Sequence, residues 1–142
     1  MKILIINGPN LNMLGLREPE IYGTKSYQDL VNYLNEIADT YKDDLEIFQS
    51  NGEKEIIDKI HQAYFDKVAA IIINPAAYTH YSYAIRDAIA AVNICTIEVH
   101  LTDISNREPF RKISVIADVC EKCFIGKNFI SYQEAFAYLH NK

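Results

Sequence analysis

Val68-Ala69-Ala70-Ile71-Ile72-Ile73 is an uninterrupted apolar run, and Asn74-Pro75-Ala76-Ala77-Tyr78-Thr79-His80 follows it at once. Apolar residues without polar alternation suit a strand covered on both faces, as parallel strands are. Lys2–Ile6, Leu45–Gln49, Ile94–Val99 and Cys123–Ile125 read as further short strands. Helical spacing fills the intervals. Tyr27, Leu30, Val31, Leu34, Ile37, Ala38 and Tyr41 mark a first helix that Ser26 caps, with Asp29 three residues on. Ile56, Ile57, Ile60, Ala63 and Tyr64 mark a second, Ile85, Ala88, Ile89 and Val92 a third, and Ala135, Phe136 and Leu139 a last. Strand and helix alternate, which predicts an α/β fold: a three-layer, doubly wound, flavodoxin-like sheet of five parallel strands. The expected organisation is one domain over residues 1–142, with a lid loop at about 11–24. The whole connection from Asn7 to Thr24 reads as irregular, with Gly8, Pro9, Gly15, Pro19 and Gly23 in it.

The bulk numbers narrow the function. Hydrophobic residues make up 49% of the 142 and charged residues 23%, as in a globular domain. A net charge of -5 argues against a general nucleic-acid binder, which needs a basic stripe. A small anionic substrate remains open, because a few arginines make a local positive pocket. No apolar run approaches the roughly 20 residues of a membrane span. Three cysteines without framework spacing point to a reducing cytoplasm. Cys120 and Cys123 form a C-x-x-C, but no second pair or nearby histidine completes a metal site, so two buried thiols are the simpler expectation.

In such a sheet, ligands bind beyond the carboxyl ends of the strands. The unusual polar residues fall there. The first strand runs into Asn7-Gly8-Pro9-Asn10-Leu11-Asn12, the third into Asn74 and then His80, and the fourth into Glu98-Val99-His100. Glu98 and His100 are two apart on a strand, so their side chains share a face. A carboxylate beside an imidazole orients the ring and suits it to general acid work. A structural polar pair at a sheet end would look the same. Arg107 and Arg111, four apart, could face a carboxylate or could be solvated charges. Arg17 and Tyr22 share the first loop; a guanidinium would favour the phenolate that a tyrosine base needs, though loop charges are usually solvated. His80 could be a ligand-binding loop residue or a helix cap, and Asn10 and Asn74 could be turn residues. His61 and His140 suggest no role.

Taken in order, these segments resemble the type II 3-dehydroquinate dehydratases. The match runs from Asn7-Gly8-Pro9-Asn10-Leu11-Asn12-Met13-Leu14-Gly15 and Arg17-Glu18-Pro19-Glu20-Ile21-Tyr22-Gly23 through Phe48-Gln49-Ser50-Asn51 and Asn74–His80. It continues with Arg86-Asp87-Ala88, Glu98-Val99-His100-Leu101 and Asn106-Arg107-Glu108 with Phe110-Arg111, so it spans nearly the whole chain. The resemblance implies conversion of 3-dehydroquinate to 3-dehydroshikimate without metal or nucleotide cofactor. It implies Tyr22 as the base at C2, held as phenolate by Arg17, with Asn10 stabilising an enolate and His100, oriented by Glu98, protonating the departing hydroxyl. Asn74, His80, Arg111 and the backbone at Leu101 and Thr102 would hold the substrate, and Arg107 would support the site. The family's homododecamer of trimers would bring Asp87 near a neighbouring subunit's site.

The sequence departs from the family at Asp103, where asparagine is usual, and at Gly52 and Lys54. The late glycine-rich run becomes Gly126-Lys127-Asn128-Phe129-Ile130-Ser131-Tyr132. Asn128 is expected to keep a positive φ there, and Ser131 to cap the last helix. Two rivals use the same sheet. A flavin-binding domain would want a Ser/Thr/Gly-rich loop after the first strand, and a signalling receiver would want acidic residues there. A catalytically dead assembly protein is a third.

Overall fold

Ile3 and Ile5 point to one face of the first strand and Leu4 and Ile6 to the other, and all four are buried. Both faces of the sheet are therefore covered, as the unbroken apolar runs require. The computed structural model describes residues 1–16, 18–22 and 24–142, the Tyr22 side chain excepted. Its elements in chain order are β1 (Lys2–Asn7), α1 (Pro19–Tyr22), α2 (Tyr27–Tyr41), β2 (Asp44–Gln49), α3 (Glu53–Phe65), β3 (Ala70–Asn74), α4 (Tyr83–Val92), β4 (Cys95–Val99), β5 (Lys122–Phe124) and α5 (Ile130–Asn141). All strand pairs are parallel, in the order β2-β1-β3-β4-β5. This is the doubly wound, flavodoxin-like arrangement.

The alternation of side chains along each strand sorts the core into two layers. Ile3, Ile5, Ile72, Ile97 and Val99 pack with Leu30 and Leu34 of α2 and Tyr132 and Phe136 of α5. Leu4, Ile6, Ile71 and Ile73 pack with Ile56 and Ile60 of α3 and Ile85 and Ile89 of α4. Each fully buried isoleucine or leucine contributes about 1.5–3 kcal/mol relative to exposure. Local signals set the helix ends. Ser26 Oγ accepts from Asp29 N at 3.1 Å while Asp29 Oδ2 accepts from Ser26 N at 2.9 Å, a reciprocal cap. Lys42 and Asn93, both left-handed, close α2 and α4.

Three expectations need correction. The Asn7–Thr24 connection is not wholly irregular: Leu11–Met13 forms a 3-10 turn, and Pro19 opens the one-turn helix α1. Proline suits the first turn of a helix, where its missing N–H has no partner to lose. Val68 precedes β3 rather than starting it; its N–H caps α3 by donating to Ala63 O at 3.0 Å. Ser131 does not cap α5 from outside. It lies inside the first turn, and its Oγ accepts from Lys127 N at 3.2 Å, which draws the preceding loop back onto the helix. Asn128 does take a positive φ, 51°, beside Gly126 at 82°.

Among the described residues no helix is long and apolar enough to cross a membrane. Asp43 ties the chain ends together: it accepts from the Met1 amino group and pairs with His140 Nε2, each at 2.8 Å.

Candidate active site

β1, β3 and β4 end side by side, and their carboxyl ends form the floor of a pocket. Gly8 follows β1 because a side chain has no room: a Cβ there would lie 2.5 Å from Pro75 O. Its N–H instead donates to Asn74 O at 2.8 Å, which holds the two loops together. Beneath them lies a buried polar chain. Tyr132 Oη donates to Asn7 Oδ1 at 2.6 Å, Asn7 Nδ2 to Tyr27 Oη at 3.3 Å, and Asn74 Nδ2 to Tyr132 Oη at 3.4 Å. Burial pushes the Tyr132 phenol above its ordinary range, so it stays a donor. Asn74 Oδ1 accepts from Ala76 N at 3.1 Å and bends the chain toward His80.

The pocket holds about 110 Å³. Asn10, Asn74, His80, His100, Leu101, Thr102, Arg107 and Arg111 all line it. A wider groove of about 580 Å³ between Lys25, Tyr33 and Phe129 brings together, among the described residues, none of the candidate catalytic or substrate-binding residues. Glu98 lies behind the pocket, fully buried at the end of β4. His100 stands just past that strand, and its N–H donates to Phe124 O at 3.0 Å, which extends the sheet by one bond.

An ionised carboxylate only accepts, so His100 Nε2 donates to Glu98 Oε2, at 2.6 Å. This leaves Nδ1 as the ring nitrogen available to a ligand. Ser114 Oγ donates to the same carboxylate oxygen at 2.7 Å and fixes its plane. The sequence reading missed Ser114, and no local pattern singles it out: it reaches Glu98 from an irregular segment 16 residues away.

His80 Nδ1 sits 2.8 Å from Ile113 O, and since a carbonyl can only accept, that nitrogen carries the proton. Burial lowers its pKa below the ordinary value, and the charges of His100, Arg111 and Arg107 lower it further against the Ile113 bond. A neutral His80 presents Nε2 as an acceptor. Arg107 Nη1 donates to Thr102 Oγ1 at 3.4 Å. Arg111 Nε lies 2.6 Å from Glu108 Oε2, without hydrogen-bond alignment, and its guanidinium stacks 4.9 Å from the Phe110 ring. Asn10 is left-handed (φ 70°), and its N–H donates to Asn51 Oδ1 at 3.0 Å. Asp103, the unusual residue of the next turn, earns its place by accepting from Ser105 N and Asn106 Nδ2 at 3.0 and 3.2 Å.

Three predicted residues remain. Asp87 is exposed on α4 and does not line the pocket. Arg17 and the Tyr22 side chain lie outside the described residues; the Tyr22 backbone closes α1. The C-x-x-C thiols are free. Burial, the Glu98 charge and a hydrogen bond to that carboxylate push Cys123 up to about 12, and burial and the Glu98 charge raise Cys120 as well, so both stay protonated. That leaves no reactive thiolate for redox work. The fold does, however, bring Cys123 beside Glu98 and His100, which the sequence spacing hid.

A profile of the family described as Dehydroquinase class II matches residues 1–140. The chain belongs to this family. The 3-dehydroquinate dehydratase of Caldicellulosiruptor bescii is 60% identical over 131 residues, which cover 92% of this chain and 90% of that one. That of Clostridium perfringens is 51% identical over 142 residues, covering 100% and 99%. The crystal structure of the type II dehydroquinase from Butyrivibrio crossotus superposes with a TM-score of 0.98 at 51% identity, over 99% of this chain and 98% of that one. That match covers 99% of the chain, so Asp103, Asn128 and Ser131 sit within a backbone shared with a type II dehydroquinase.

Proposed function

We propose that this chain is a 3-dehydroquinate dehydratase, a hydro-lyase that works through an enolate with a tyrosinate base and a histidine acid. The activity follows from its family and from the names of its relatives. The observation that carries the mechanism is the buried Glu98–His100 pair opening onto a pocket with two arginines.

Elimination next to a ketone needs a base for a weakly acidic C–H, a place for enolate charge and an acid for the leaving hydroxyl. Tyr22, as a phenolate favoured by Arg17, takes the proton from C2. Asn10, through a water, stabilises the enolate oxygen. His100 protonates the C1 hydroxyl, which leaves as water while the enolate collapses to the conjugated ketone. Glu98 holds His100 in the correct orientation and balances its charge. Asn74, the neutral His80, Arg111 and the backbone at Leu101 and Thr102 hold the substrate's carboxylate and hydroxyls. Arg107 braces Thr102. The chain acts as a homo-oligomer of twelve, with Asp87 approaching a neighbour's site, in a reducing cytoplasm that suits its three free thiols.

Among the described residues none that lines the pocket is a lysine, which favours a route without a protein–substrate imine. The purified chain should convert 3-dehydroquinate to an ultraviolet-absorbing conjugated product, and borohydride added with substrate should leave that activity intact. No conversion would refute the activity. A reduced adduct seen by mass spectrometry would refute the mechanism.

A further inference from the structure

We propose that Glu98, His100 and Cys123 form a binding site for a soft divalent cation such as zinc, and that its occupancy blocks dehydration. The inhibition rests on the role of His100 given above; the binding does not.

The site arises from sheet register. Glu98 on β4 pairs with Cys123 on β5, so their side chains leave the sheet on the same face, and His100 follows two residues later on that face. A carboxylate oxygen, an imidazole nitrogen and a thiol sulfur then all lie within 4.8 Å of one another. Donors around a tetrahedral zinc ion, at about 2.0–2.3 Å from the metal, stand roughly 3–4 Å apart, so the three need only close in slightly. Their chemistry is the mixed set that zinc accepts. Three protein donors also leave the fourth tetrahedral position for water.

A second observation points to a cation here. Glu98 Oε1 is buried and takes no well-aligned hydrogen bond among the described residues; the Cys123 thiol interacts with the same carboxylate. Such an oxygen carries a desolvation cost, which a metal ion would relieve. Ser114 already orients the carboxylate from outside, as an outer-shell partner does. Cys123 lies on the exposed edge strand, which offers an entry route, whereas Cys120 lies outside the group, packed against the α3–α4 layer. Magnesium and calcium should not bind, because they require six or more oxygen donors.

Zinc on His100 Nε2 and Cys123 Sγ displaces the protons of both to solvent, and leaves the ring at most a neutral Nδ1–H, a weaker acid than an imidazolium. His100 then cannot present an imidazolium to the leaving hydroxyl.

The test is cobalt titration of the intact, chelator-treated protein, following thiolate-to-cobalt absorption. One ion per chain is expected, displaced by zinc and unaffected by magnesium. The band should vanish in Cys123→Val and in the near-isosteric Cys123→Ser, and persist in Cys120→Ala. Loss of even an outer-shell partner weakens zinc about 10–100-fold, so zinc inhibition should weaken at least about tenfold in both Cys123 variants, with zinc-free turnover kept. A wild-type protein without a saturable thiolate band, or a band that survives both Cys123 changes, would overturn the site. Cobalt binding is read without substrate, so it stands or falls separately from the dehydratase assay.

Discussion

At the scale of single residues, the pocket sets two imidazoles to different tasks. His100 gives its Nε2 proton to a buried carboxylate, while His80 gives its Nδ1 proton to a backbone carbonyl. Burial is the largest cause of the lowered pKa of His80, and three neighbouring cationic or titratable groups add to it. The unfolded ring takes a proton near pH 6.5, the folded ring only at lower pH. His80 therefore contributes its stability fully above pH 6.5, and that contribution is lost as pH falls through the folded value. Imidazole resonances followed by NMR should show His80 titrating below 6.5, with the proton on Nδ1 in the neutral form. A midpoint above 6.5 would contradict a desolvated, neutral ring.

At the scale of elements, the loop from Gly126 to Ser131 holds the back of the site. Asn128 N donates to Leu101 O at 2.9 Å, so the loop buttresses the backbone proposed to meet the substrate. Asn128 is left-handed, where a β-branched residue is strained by roughly 1–2 kcal/mol. Asn128→Val should lower stability by about that amount in urea unfolding, and Asn128→Gly should change it by less than about 1 kcal/mol. Equal stability of the two variants would mean that the turn relaxes to another conformation. The strands, the helix faces and the Ser26 cap were legible in the sequence because each is a local pattern. So was the meeting of Asn10, Asn74, His80 and His100, because parallel strands end together. What could not be read depends on contacts between distant segments. Ser114 reaches Glu98 from an irregular stretch, Tyr132 crosses 125 positions to Asn7, and Cys123 meets Glu98 only through register. Short Pro19–Tyr22 lacks the length for a periodic signal.

At the scale of the whole molecule, large apolar side chains remain exposed in the α3–α4 layer. Phe65 is 72% exposed, Tyr83 66% and Tyr64 60%. Asp87 belongs to the same layer, and the proposed assembly would cover side chains of this kind. Light scattering at assay concentration should therefore give a large homo-oligomer, most simply of twelve chains. A fully active monomer would contradict this assembly. The proposed division of labour between base and acid would also act across the molecule, since Tyr22 comes from the connection after β1 and His100 from the end of β4. Deuterium exchange at C2 of 3-dehydroquinate in heavy water separates the two. His100→Asn should lose most turnover yet still place deuterium at C2 of recovered substrate above the enzyme-free rate. Tyr22→Phe should bind substrate but neither exchange nor turn over, and C2 exchange at the wild-type rate in Tyr22→Phe would contradict the account.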